Sequence, residues 1–177
     1  MKFLKKLLLG LLALVAVLLV IAVFLPSKYH VQRRIVIQAR PETIFPWVNN
    51  LHKWPDWTAW TKERDPTLAF SYEGPEEGTG AISKWDGKKT GNGMMTITES
   101  DPKTGVKYDL SFENGKYKSV GGLRFEPNGD ATQVTWMDDG ELGANPVGRY
   151  FGLTMDHMIG PDFDQGLKKL KQKVEVK

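Results

Sequence analysis

Acid-base chemistry in an apolar cavity needs a carboxyl group that strand alternation turns inward. Glu99 shares strand parity with Met95 and Ile97, which are expected to face inward. Desolvation there would raise its carboxyl toward a range useful for proton transfer. Glu99 also stands beside the Asp101-Pro102 turn, and a strand-end or turn-capping role is the preferred reading. It is kept as the candidate polar group of a cavity. Asp138, Asp139 and Glu141 form a short acidic group that could exchange protons or hold a cation; a solvated strand end is the preferred reading. His30, His52 and His157 lie far apart without metal-ligand spacing, and His157 falls on the polar side of the last helix. No Gly-x-Ser-x-Gly elbow occurs. Gly91-Asn92-Gly93 and Gly121-Gly122 do not sit between a strand and a helix, as a phosphate loop must. The chain has no cysteine, which excludes thiolate chemistry, disulfides and Cys-based metal sites. No catalytic residue, metal or cofactor is assigned.

The apolar side chains carry more information. Six tryptophans in 177 residues, with several Phe, Tyr and Met, exceed what a small core needs to close. About half should be core, and the rest should line a ligand pocket, since such sites are mostly apolar with few polar groups. The candidates are Trp57, Trp60, Trp85, Met95, Tyr108, Phe125, Trp136, Met155 and Ile159. Met155 and Met158 are flexible and polarizable, and suit an adaptable wall. Gly121 and Gly122 lie in a strand and should leave room under the covering helix.

These residues need elements to hold them. Val31 to Ile37 is rich in β-branched residues and reads as a strand. Pro41-Glu42 opens a helix, because Pro fits the first turn and Glu the positive end of the dipole; Pro46 should bend or shorten it. Trp54, Trp57 and Trp60 recur every third residue, near one face of a short helix. The middle is cut into strand lengths by Gly74-Pro75, Asp86-Gly87, Gly91-Asn92-Gly93, Asp101-Pro102, Asn114-Gly115 and Pro127-Asn128-Gly129. Asp-Gly and Asn-Gly favour tight hairpins because the central residues need positive φ. Val106 to Phe112 alternates apolar and polar residues, as do the stretches around Leu123-Phe125 and Thr132-Trp136. One sheet face is thus apolar and needs a cover. From Arg149 onward, Phe151, Met155, Met158, Ile159, Phe163, Leu167, Leu170 and Val174 recur at helical spacing and supply it. Gly160-Pro161 should kink that helix.

Strand, two short helices, six-strand meander and long closing helix make an α+β order. The segments Ala39 to Phe45, Trp47-Val48-Asn49, Trp54 to Trp60, Thr98 to Pro102, Thr132 to Trp136 and Met155 to Leu170 together resemble the START-like, or SRPBCC, superfamily of polyketide cyclase/dehydrase and lipid-transport proteins. The resemblance covers Val31 to Val174. It implies a helix-grip fold, with a curved antiparallel sheet around the C-terminal helix and a cavity between them. It implies an activity no more closely than binding or handling a hydrophobic, lipid-like or polycyclic small molecule without covalent catalysis. A cyclase or isomerase using cavity carboxylates, and an interaction module with a vestigial cavity, stay open beside it.

Ahead of this domain runs LLLGLLALVAVLLVIAVFL, Leu7 to Leu25, uncharged and preceded by Lys2, Lys5 and Lys6. Nineteen helical residues rise about 28 Å, close to a hydrocarbon core. A cleaved signal would be shorter and end in small residues, whereas this run ends in Phe24-Leu25-Pro26. Residues 1–26 therefore read as a single-pass anchor and 27–177 as the domain. The leading lysines favour a cytoplasmic N-terminus, with the domain on the far side of the membrane; the resemblance implies that this is the plasma (inner) membrane of a bacterial-type cell. Arg33 and Arg34 are assigned to the folded domain and discounted. The net charge of +3 comes from the three anchor lysines, and the remaining 21 basic residues balance 21 acidic ones. The domain thus lacks the basic excess of a nucleic-acid binder.

Overall fold

The computed structural model describes residues 2–143 and 145–176. Helix α1 (Lys2–Phe24) is followed by strand β1 (Lys28–Ile37), helix α2 (Pro41–Val48), a 3-10 turn at Leu51–Lys53, and helix α3 (Trp54–Trp57). A meander of β2 (Ala69–Glu73), β3 (Ile82–Gly87), β4 (Gly91–Asp101), β5 (Gly105–Phe112), β6 (Tyr117–Asn128) and β7 (Ala131–Glu141) leads to α4 (Pro146–Gly152) and α5 (Met155–Glu175). All seven strands form one sheet in the order β1-β7-β6-β5-β4-β3-β2, every pair antiparallel. The fold is the helix grip expected from the sequence. The hairpin after β5 takes positive φ at Asn114 (57°) and Gly115 (85°), as its Asn-Gly pair demands.

Helix α5 seals the sheet through Phe163, Leu167 and Leu170, all buried. Each such side chain contributes about 1.5–3 kcal/mol by leaving water. Gly166 lets the helix approach closely, because a Cβ there would lie 2.7 Å from the Trp136 ring. Arg33 on β1 fixes the start of the helix. Its Nη1 and Nη2 donate to the Asp156 carboxylate at 2.6 and 3.0 Å, and its Nε donates to Asp164 Oδ2 at 3.1 Å.

The closing segment departs from the sequence expectation. It is two helices, broken at Leu153 and Thr154, and α5 continues as helix through Pro161, where a kink is expected. Arg33 binds carboxylates on both sides of that proline, and Gly160 accepts the guanidinium against the backbone. This clamp holds the helical path where one intrahelical bond is lost. The space expected under Gly121 and Gly122 is absent too. The Tyr108 ring occupies the position where a Gly121 Cβ would stand, and Gly122 lies against the backbone of Val106.

Candidate functional site

The space under the grip divides in two. One part is solid. Trp54, Trp57, Tyr108, Trp136 and Phe163 interlock there, with Trp136 stacked on Phe163 at 4.2 Å and 2°. Trp54, Trp57 and Trp60 all reach the Trp136 ring, at 5.9, 5.1 and 6.0 Å between centroids. Only the first two belong to α3; Trp60 lies beyond its end. The polar tips are satisfied: Trp136 Nε1 donates to the Tyr108 hydroxyl at 2.7 Å, Trp54 Nε1 to the Val48 carbonyl and Trp57 Nε1 to the Trp47 carbonyl. Buried aromatics with bonded tips pack as rigid units.

The other part is hollow. A cavity of about 560 Å³ lies between the sheet, α3, α4 and the first turns of α5. Its walls are Trp60, Leu68, Phe70, Trp85, Met95, Leu110 and Phe112 on one side and Phe151, Met155, Met158, Ile159 and Phe163 on the other. Phe151 and Met158 are more than half exposed, which places them at the rim with Glu113, Lys118 and Glu141. The volume suits a small organic ligand, and the wall chemistry an apolar one. A second depression of about 500 Å³ on the outer side of α5, lined by Pro161, Asp164, Lys168 and neighbours, is open to solvent.

Of the candidates read from sequence, Trp60, Trp85, Met95, Met155 and Ile159 line this cavity. Trp57, Tyr108, Phe125 and Trp136 sit instead in the solid core, each no more than 4% exposed. Glu99 points outward into solvent, pairing with Lys107 at 2.8 Å. The cause is a register shift between Ile97 and Glu99, where β4 opposes β5 irregularly. Such a bulge reverses the face on which later side chains fall.

Sequence reasoning passed over Asp138, treated as part of a solvated strand end. It is 3% exposed and forms part of the cavity wall. Asp139, its neighbour, points out and bonds His30 Nδ1 at 2.7 Å. The signal was available: Asp138 shares parity with Val134 and Trp136 along a regular β6–β7 register. Tyr29 on β1, whose ring lies over Gly140, donates to Asp138 Oδ2 at 2.9 Å. The buried Ser119 hydroxyl lies near enough to Asp138 to favour its ionised form, although neither it nor Asp138 Oδ1 makes a hydrogen bond of full geometry among the described residues. Each unpartnered buried group costs about 1–3 kcal/mol. Burial pushes the Asp138 carboxyl above its usual range, opposed by the Ser119 and Tyr29 hydroxyls. Burial and the nearby Asp138 also push up the phenols of Tyr29 and Tyr108. Among the described residues no cluster of His, Asp and Glu could hold a metal ion. His52 stacks on Tyr72 at 3.7 Å and His157 is exposed.

Helix α4 joins the cavity to the N-terminal helix. Gly148 and Phe151 line the cavity. Arg149 Nη1 donates to the carbonyls of Val23 at 2.6 Å and Ala22 at 3.3 Å, satisfying groups left open at the end of α1. The Tyr150 hydroxyl donates to the Leu18 carbonyl at 2.7 Å. Helix α1 is long and apolar enough to cross a membrane.

Comparison with known proteins yields one family model, described as polyketide cyclase / dehydrase and lipid transport, matching residues 28–175. Several solved structures share the fold at low identity. The di-domain ARO/CYC protein StfQ from the steffimycin biosynthetic pathway has a TM-score of 0.62 and 11% identity, over 84% of this chain and 51% of that one. Ara h 8.0201 gives 0.57 and 15%, over 83% and 97%. The protein TTHA0849 from Thermus thermophilus gives 0.57 and 18%, over 82% and 96%. No curated protein matches the chain.

Proposed function

The chain belongs to the polyketide cyclase/dehydrase and lipid transport family, and from that premise we propose that it is a membrane-anchored protein that binds a hydrophobic, lipid-like or polycyclic small molecule. The observation that carries this reading is the cavity of about 560 Å³ walled by Trp, Phe, Met and Leu side chains. Burying a ligand there removes apolar surface from water on both partners.

The anchor sets where binding occurs. Residues 1–26 cross the plasma membrane with the N-terminus in the cytoplasm, and residues 27–177 fold outside. The bonds from Arg149 and Tyr150 to Val23 and Leu18 hold α4 against the outer end of the anchor. Because α4 also walls the cavity, the rim at Phe151 and Met158 lies at the bilayer surface. The ligand then passes between lipid and cavity without crossing water. A cyclase or isomerase is the second reading, favoured by one observation: Asp138 is a buried carboxyl in the cavity wall.

The test is a melt of the full chain in lipid nanodiscs with and without an apolar polycyclic probe such as 9,10-dihydroanthracene. Binding to the folded state raises the melting temperature by mass action. Met155→Trp narrows the space, reduces the shift and destabilises the protein by only ~1–3 kcal/mol. If the variant fails to fold while the parent shows no shift, the hollow is not a binding site. A probe recovered chemically altered moves the enzyme reading to first place.

A further inference from the structure

We propose that α4 and the turn after it insert into the bilayer that α1 crosses, placing Val147, Phe151, Leu153 and Met158 among the lipid chains of one leaflet. This rests on the anchoring reading above and goes past it: the cavity rim stands within the leaflet, not at its surface.

Three observations converge. The first is depth. The Tyr150 hydroxyl donates to the Leu18 carbonyl at 2.7 Å, and Leu18 stands seven residues before Leu25, the end of the uncharged run. That is about 10 Å back along the helix axis. Helix α4 therefore lies against the flank of the span, and Ala22 of α1 is buried. The second is exposure. Val147, Phe151, Leu153 and Met158 are each more than half exposed, as are Val23 and Phe24 at the adjoining end of α1. Val147 and Phe151, four residues apart on α4, share a face. The third is charge. From Leu142 to Met155 the chain has no acidic residue, and Arg149 alone is charged. Its guanidinium meets the Val23 and Ala22 carbonyls at 2.6 and 3.3 Å, where the helix dipole favours a cation.

An exposed apolar patch on a folded domain marks contact with a protein or with a membrane. Continuity with α1 decides between them. A short helix bonded to the flank of a span at the level of Leu18 is surrounded by the same lipid as the span. Interfacial helices bury their apolar face about 5–10 Å below the headgroups, which matches the level that Tyr150 reaches. Tyrosine suits that level, with an apolar ring and a polar tip. Phe151 and Met158 also wall the cavity, so the insertion that buries them opens the cavity onto lipid chains.

The natural chain has no cysteine, so single substitutions accept a nitroxide label at one chosen place. Leu153→Cys and, separately, Val147→Cys are labelled in the full chain, one copy per phosphatidylcholine nanodisc. Both side chains are more than half exposed, so folding does not depend on them and either variant tests the proposal alone. Ala16→Cys, at the middle of the uncharged run, reports the span; Asn128→Cys, exposed at the end of β6 remote from α4, reports water. Electron paramagnetic resonance power saturation with oxygen and a water-soluble nickel chelate reads depth. The two α4 labels are expected about 5–10 Å below the headgroups, the Ala16→Cys label deeper, and the Asn128→Cys label in water. If both α4 labels are open to the chelate while the Ala16→Cys label is shielded, the insertion is overturned and the anchor stands. If the Ala16→Cys label is open to the chelate, the anchor reading falls and the insertion with it. Shielding of the α4 labels that arises only with two copies per nanodisc assigns this face to a second copy of the chain and overturns the proposal.

Discussion

The two parts of the space beneath the closing helices are built from similar residues and behave differently. Around Trp136 the side chains come from many directions at once: α3, β5, β7 and α5 all deliver an aromatic or a leucine, and glycines 121 and 166 let them close without gaps. Near α4 the sheet supplies large side chains, but the helical cover is short, broken at Leu153 and Thr154, and offers Phe151 and Met158 half exposed. A broken cover over a continuous sheet leaves a hollow. The apolar count is therefore a poor guide to where a cavity lies, and the continuity of the covering helix is a better one.

The largest expected effect lies in the solid part. Trp136→Ala removes a ring stacked on Phe163 and the donor to Tyr108, and should destabilise the protein by ~3–5 kcal/mol in denaturant titration. Met155→Ala, in the hollow part, should lose less than half as much. Equal losses would erase the distinction between the two parts.

A smaller effect is expected at the helix contact. Gly166→Ala places a methyl 2.7 Å from the Trp136 ring. The ring is fixed by its stack, so the clash should outweigh the roughly 1 kcal/mol gained from replacing a helical glycine, for a net loss of ~1–2 kcal/mol. A stabilised variant would show that the solid part has slack.

Smaller again is a pH effect at the boundary. The folded-state pKa of Asp138 is raised by burial. Its contribution to stability is therefore complete below the ordinary carboxyl value of about 3.9 and is lost as pH rises through the folded value. The groups around it are Tyr29, Tyr108, Ser119 and the His30–Asp139 pair. His30 is also raised, by its Asp139 bond, so it acts in the same direction. Stability of Asp138→Asn, measured from pH 4 upward, should decline less steeply than that of wild type. Parallel curves would mean that Asp138 is solvated.

The same contrast explains what the sequence disclosed. The meander and most of its turns were legible because local periodicity and Asn-Gly chemistry are written into adjacent residues; Asp86-Gly87 and Gly91-Asn92-Gly93, read as breaks, instead end β3 and begin β4 as paired strand residues. The inward set on β5 and β7 followed from alternation alone. Glu99 was kept as a cavity candidate beside its preferred strand-end reading because a bulge is a property of two paired strands, with no mark in either one. Asp138 was legible by parity but was overlooked, since an acidic doublet reads as solvent-facing unless the alternation is carried to the end of the strand. The division between packed core and cavity was not legible: Trp57, Tyr108 and Trp136 differ from Trp60 and Trp85 in what covers them, which the fold decides. The clamp on α5 was not legible either, because Arg33, which makes it, stands far earlier in the chain on β1.

Native mass spectrometry of the full chain, released gently from nanodiscs formed directly from cell membranes, tests the central claim most directly. The wild type should carry one apolar small molecule of defined mass, and Met155→Trp, with its cavity narrowed and its anchor unchanged, should carry markedly less of it. A bare wild-type chain, or equal occupancy of the adduct on both proteins, would contradict it.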